Sequence, residues 1–202
     1  MEKLSVEIKS IIEREIEGIR NIPVDQSVED AINLIYMQVH QHGGKVVISG
    51  LGKAGQIGHN IATTLSSTGT PAVFLHPTEA QHGDMGILQK EDILFLISNS
   101  GKTREIIELL PLAKKIFPHI KSIGLTGHPE NELGNMVDVC LSTGYPKEVC
   151  PLGLTPTTST TVMTVLGDVI VVTLMKKINF TKADYAMRHH SGYLGKKSNV
   201  DE

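Results

Sequence analysis

The chain has 202 residues, 40% of them hydrophobic, enough for one domain with a sizeable core. Lys and Arg number 19 against 22 Asp and Glu, a formal charge of −3, so no global positive field favours nucleic acid, and an anionic ligand has to be held by local groups. Aromatic residues make up only 4% with no Trp, which removes the stacking platforms of single-strand binders; the two cysteines, Cys140 and Cys150, are too few for a disulfide scaffold and agree with a cytoplasmic chain.

Leu4, Ile8, Ile11, Ile12, Ile16 and Ile19 fall on one face of a helix that Pro23 ends, and the charged start at Met1-Glu2-Lys3 has no apolar signal-peptide core. Ser27 is the expected N-cap of a second helix running to about Gln41, where Gly43-Gly44 stops it. A repeating pattern follows. Strands are predicted at 45–49, 72–75, 92–97, 120–125 and 137–141, with helices at 55–67 and 103–116. The strands are continuous apolar runs rather than alternating ones, as in a parallel sheet covered on both faces. The fold class is therefore α/β: a doubly wound, five-stranded parallel sheet flanked by helices.

A long helix is predicted over 157–179, polar at its start and apolar later. Its most apolar run, Val162 to Met175, is too short for a membrane span and carries Asp168, which makes it a buried helix. The charged stretch from Phe180 to Glu202, with His189 and His190, is either a disordered end or an arm that crosses to another subunit. The organisation expected is a single domain: N-terminal helices over 1–43, an α/β core over 44–178, and a tail over 179–202 that reaches an active site.

Ligands of open α/β sheets bind beyond the carboxyl ends of the strands, so the loops after each strand carry the chemistry. Gly50, Gly52 and Gly55 have the G-x-G-x-x-G spacing, but the second strand ends Phe74-Leu75-His76-Pro77 without the acid that a dinucleotide ribose requires, and Lys53 sits inside the loop. The alternative is a tight turn that needs glycines and nothing more. After the third strand, Ser98, Ser100 and Thr103 surround Gly101 at the start of a helix, where hydroxyls and free N–H groups suit a phosphate; the competing explanation is that Ser100 or Thr103 only caps the helix. A run of hydroxyls, Thr155, Thr157, Thr158, Ser159, Thr160 and Thr161, opens the long helix, some for capping and the rest free to meet a polyol or phosphate.

Titratable groups gather near the same loops: Glu79, His82 and Asp84 after the second strand, Glu105 after the serine loop, and Lys147 and Glu148 beyond the fifth strand. Moving a proton between two carbons of a phosphosugar needs a carboxylate base and groups that stabilise an enediolate oxygen, and candidates for each are present. Nine histidines give no metal-ligand spacing, so no metal and no cofactor is expected.

The motifs GLGKAGQIG at 50–58, LSSTGTPAVFLHPTEAQHGDMG at 65–86, ISNSGKTREI at 97–106, KEVCPLGLTPTTSTT at 147–161 and H-x-x-G-x-L-G from His189 to Gly195 are together similar to those of the sugar isomerase (SIS) domain family, and within it to its arabinose 5-phosphate isomerases. The resemblance covers nearly the whole chain. It implies interconversion of D-ribulose 5-phosphate and D-arabinose 5-phosphate through a cis-enediol, feeding Kdo and lipopolysaccharide synthesis, by a cytoplasmic homotetramer without nucleic-acid or membrane partners. It also implies the form with one SIS domain and no CBS modules. Carried onto this sequence, the family's functional residues are Lys53, His82, Glu105, Glu148 and His189, with Ser98, Ser100 and Thr103 on the phosphate; Gly52 and Thr158 join the binding candidates. Two departures are Lys102, where the family commonly has Glu, and His190-Ser191, where it has Pro-Gly.

Glu148 is favoured over Glu105 as base, because Glu105 lies at a helix N-terminus whose dipole weakens a carboxylate base. The alternatives are another phosphosugar isomerase, for a hexulose or heptulose phosphate, and a non-catalytic sugar-phosphate sensor.

Overall fold

The computed structural model describes residues 2–191, Tyr193 and Lys197. Gly192, Leu194 and Gly195 of the tail motif lie outside them. Five strands, β1 (Val46–Gly50), β2 (Ala72–Phe74), β3 (Ile93–Ile97), β4 (Lys121–Thr126) and β5 (Val139–Ser142), form one parallel sheet in the order β2-β1-β3-β4-β5. The expected doubly wound sheet is present.

Alternate residues of each strand feed two separate cores. Val46 and Ile48 of β1 and Ile93, Phe95 and Ile97 of β3 pack towards α2 (Gln26–Ile35), α3 (Gly52–Ser67) and α7 (Thr158–Lys177). Val47, Leu94 and Leu96 face the other way, onto α4 (Pro77–Gln81), α5 (Arg104–Ile116) and α6 (Glu132–Met136). Both faces of the sheet are thus covered, which explains why its strands read as unbroken apolar runs. Phe95 is fully buried at the centre, where removing a ring costs about 3–5 kcal/mol.

Helix boundaries differ from the sequence expectation in instructive places. Asp25, not Ser27, caps α2: its Oδ1 accepts the Ser27 amide at 2.9 Å and the Ser27 hydroxyl at 2.6 Å. Val28, Ala31, Ile32 and Ile35 then form the buried stripe, and a π-helical stretch, Tyr36–Gln41, continues the axis. α3 begins at Gly52, three residues earlier than expected, so Lys53 stands in its first turn. The glycines here allow backbone contact. A Cβ on Gly55 would sit 2.6 Å from the Gly50 carbonyl oxygen, so strand end and helix touch directly.

Asp92 is excluded from β3 and works as a staple below it. Its carboxylate accepts the Lys45 amide at 2.9 Å, the Lys45 ammonium at 2.7 Å and the Gln89 amide at 2.8 Å while fully buried. α7 has 20 residues, so its length alone does not separate it from a membrane helix. It packs against α1 (Glu2–Arg20), α2 and α3, with half of its apolar window buried. Beyond α7 the chain makes a short helix, α8 (Lys182–Ala186), closed by a capping box in which Thr181 and Asp184 exchange hydrogen bonds.

Candidate active site

In the order 2-1-3-4-5, the connections after β1 and β3 leave towards opposite faces of the sheet, and the crevice between them is where such folds bind ligands. A cavity of about 280 Å³ lies there. Leu51, Lys53 and Ala54 line it from the glycine loop, Ser98, Asn99, Ser100 and Thr103 from the serine loop, and Pro156, Ser159, Thr160 and Met163 from the start of α7. Its volume is near the lower end of the range of about 300–1,000 Å³ usual for small-molecule sites, which suits a sugar phosphate better than a dinucleotide.

The serine loop is built as an anion cradle. Thr103 is the N-cap of α5, yet its side chain makes no capping hydrogen bond; its hydroxyl is held at 2.8 Å by the Ser98 hydroxyl instead. The first turn of α5 is thereby left without a side-chain cap, and the same holds for α3, whose N-cap is Leu51. Two positive helix ends without side-chain caps face the cavity beside Lys53, an arrangement that can hold a phosphate dianion. Gly101 turns the loop at φ +64°, a left-handed conformation that glycine adopts without strain. The loop after β4 fixes it from behind: Gly127 donates to the Asn99 carbonyl at 3.0 Å, Asn131 to the Ser100 carbonyl at 2.8 Å, and Leu133 to the Gly101 carbonyl at 3.0 Å. A cradle held this firmly loses little entropy on binding.

Glu148 lies where α7 starts. Its Oε2 accepts the Thr157 amide at 2.7 Å, the Thr157 hydroxyl at 2.8 Å and the Ser159 amide at 3.3 Å. Burial opposes its charge, but the neighbouring Ser159 hydroxyl dipole and the Thr157 and Ser159 donors outweigh it and hold the carboxyl below its usual range. The dipole reasoning that set Glu148 apart from Glu105 therefore applies to Glu148 as well, and that preference loses its basis. Arg14 of α1 donates to the Glu148 carbonyl at 3.2 Å and ties the segment to the N-terminal helix.

Of the residues expected from sequence, Lys53, Ser98, Ser100 and Thr103 line the cavity, Gly52 immediately precedes Lys53, and Glu148 is bonded to the α7 turn that forms one wall. Glu105 is half-buried in the first turn of α5 but is not among the lining residues. Thr158 faces the other way. It is buried, donates to Glu15 at 3.1 Å and accepts the Val149 amide at 3.2 Å. His82 is exposed after α4, near a separate depression lined by Phe74, His76, Gly83 and Asp84. His189 follows α8, its ring stacked on Tyr185 at 3.7 Å and its Nδ1 3.0 Å from the Tyr185 carbonyl. It is not among the residues that line the cavity, and the neighbouring Arg188 lies over the Phe180 ring, just past the C-terminal end of α7. Asn99 and Met163 also line the cavity without having been singled out by the sequence; Asn99 could have been noticed for its place between the two loop serines.

Comparison with known proteins agrees with this fold. Residues 40–173 match the SIS domain family model. Arabinose 5-phosphate isomerase KdsD of Salmonella typhi is 43% identical over 189 residues, 94% of this chain but 56% of that protein, so the chain spans about half the length of this curated relative. A Bacteroides fragilis NCTC 9343 structure, described as a candidate phosphosugar isomerase involved in capsule formation, superposes with a TM-score of 0.92 at 57% identity, covering 94% of this chain and 99% of that one. The E. coli CFT073 protein c3406, solved in complex with arabinose 5-phosphate, gives a TM-score of 0.83 at 37% identity over 93% of this chain and 97% of its own. The family match and these identities show that the chain belongs to the SIS domain family.

Proposed function

We propose that the chain is an aldose–ketose isomerase that interconverts D-ribulose 5-phosphate and D-arabinose 5-phosphate through a cis-enediol, supplying Kdo and lipopolysaccharide synthesis. The observation that carries this reading is the cavity at the β1/β3 crevice, where a serine cradle, Lys53 and the α7 turn bonded to Glu148 stand around one small volume. The names of the relatives and the arabinose 5-phosphate bound in the c3406 structure support the pentose phosphate in particular.

In this mechanism the phosphate docks on Ser98, Ser100 and Thr103 at the start of α5. A carboxylate, Glu148 or Glu105, removes a proton from C1 of the ketose, and the electron pair forms the C1–C2 double bond as the C2 carbonyl becomes an enediolate oxygen. Lys53 stabilises that oxygen. Transfer of the O1 proton to O2 and return of the proton held by the carboxyl group to C2 give the aldose and restore the carboxylate.

His82 and His189 lie away from the cavity of their own chain, which supports a site completed by neighbouring copies. Leu4, Ile8, Ile11 and Ile12 expose an apolar face on α1, at 61, 49, 39 and 52%, which supports a homotetramer. The free thiols of Cys140 and Cys150 fit a cytoplasmic enzyme.

Incubation with ribulose 5-phosphate in D2O, followed by NMR, tests the function. Arabinose 5-phosphate carrying deuterium at C2 is the expected product. Binding without exchange would favour a sensor, and exchange only with hexulose or heptulose phosphates would move the substrate assignment.

A further inference from the structure

We propose that Ser159 is a sugar-binding residue: its hydroxyl hydrogen-bonds a hydroxyl on the carbon chain of the phosphosugar whose phosphate sits on the serine loop. The inference rests on the phosphosugar reading of the cavity and deepens it.

A run of hydroxyls opens α7. Thr157 donates to Glu148 at 2.8 Å, and Thr158 to Glu15 at 3.1 Å. Thr160 and Thr161 donate back to the Thr157 carbonyl at 2.7 and 3.2 Å, the local pattern usual for hydroxyls in helices. Ser159 is the exception in this turn. It is 1% exposed, and its Oγ has no hydrogen-bond partner among the described residues. The Oγ is near enough to the Glu148 carboxylate to favour its charge, but the geometry there falls short of a hydrogen bond. Leaving a hydroxyl buried without a partner is costly, and a back-bond to a helix carbonyl, which its neighbours make, would have relieved it. Ser159 also lies on the wall of the cavity, one helical turn before Met163, which lines it too.

Its position selects the sugar rather than the phosphate. Ser98, Ser100 and Thr103 approach the cavity from β3 and α5, whereas Ser159 approaches from α7. A ligand anchored by phosphate on one wall therefore presents its carbon chain to the other. The Ser159 amide is already bound to Glu148 Oε2 at 3.3 Å, which fixes the backbone that carries the hydroxyl. A site built to hydrogen-bond a substrate hydroxyl discriminates strongly against ligands that lack one.

The test measures binding of arabinose 5-phosphate and of inorganic phosphate to the full chain and to Ser159→Ala by calorimetry, together with the thermal midpoint of each. The expected result has three parts. Affinity for arabinose 5-phosphate falls about 10- to 100-fold, as for loss of one hydrogen-bond partner in a desolvated site. Affinity for inorganic phosphate is unchanged, and the midpoint of the unliganded variant stays close to that of the wild type, because removal of an unpartnered buried hydroxyl offsets the loss of its support for the Glu148 charge. Unchanged affinity for arabinose 5-phosphate would overturn the assignment. So would a lowered midpoint with parallel loss of both ligands, which is the signature of a structural serine. If the wild type binds arabinose 5-phosphate no better than inorganic phosphate, the phosphosugar reading itself fails, and this inference with it.

Discussion

Glu148 and Thr157 are joined twice, through the Thr157 amide at 2.7 Å and its hydroxyl at 2.8 Å, both to the same carboxylate oxygen. The carboxylate caps α7 in place of the N-cap side chain, which makes no cap bond of its own. A proposed base and the cap of α7 are thus one group. Glu148→Gln should lower turnover by about 10²–10⁴-fold if Glu148 is the base, with Glu105→Gln as the parallel measurement that identifies the other candidate.

The same pair sets a pH dependence of stability. The folded Glu148 carboxyl titrates below the ordinary glutamate value of 4.5, so its contribution is present above that value and is lost as pH falls through the lower folded value. Denaturant titrations from pH 6 down to about pH 3 should therefore show the wild type losing more stability than Glu148→Gln. Equal slopes would show that the cap does not favour the charged form.

His189 does not line the cavity of its own chain, so its contribution should come from another copy. Glu148→Gln and His189→Ala should each be impaired, and mixing the two after reversible dissociation should restore part of the activity, because mixed assemblies contain sites with both native groups. Additive, unrestored activities would confine each site to one chain.

Asp92 should matter for stability and not for chemistry. Asp92→Ala leaves the Lys45 and Gln89 donors without their buried acceptor, a loss of about 3–5 kcal/mol. For a chain of this size that is a fall in melting temperature of about 6–20 °C, with kcat and KM of the folded fraction unchanged.

The two thiols should differ in reactivity. The Thr155 hydroxyl, with the amides of Leu154, Thr155 and Leu152, lowers the Cys150 thiol to about 6, whereas burial pushes Cys140 up, with Asp25 and Glu130 adding to it. Iodoacetamide labelling followed by peptide mass spectrometry should modify Cys150 first, with a rate rising through about pH 6 to a plateau.

Local chemistry made much of this readable from the chain. The apolar runs at 93–97 and 46–50 were recognisable as doubly covered strands because both faces of the sheet need hydrophobic residues. The serine loop was recognisable because its hydroxyls cluster at a strand-to-helix turn. The short helices α4, α6 and α8 were not, since five residues carry too little periodicity to register. The cap of α2 moved from Ser27 to Asp25 because two nearby polar candidates compete and tertiary placement selects one.

Sequence by itself determined the α/β class, the family and the grouping of Lys53, Ser98, Ser100, Thr103 and Glu148 beyond the strand ends, because strand–helix alternation forces those loops to one edge of the sheet. Only the tertiary structure decided which hydroxyl of the run at 155–161 is buried without a partner, that Thr158 turns away to Glu15, and that His82 and His189 stand apart from the cavity of their own chain. Those outcomes depend on which partners lie across from each side chain in the packed molecule, and neighbours along the chain do not specify them.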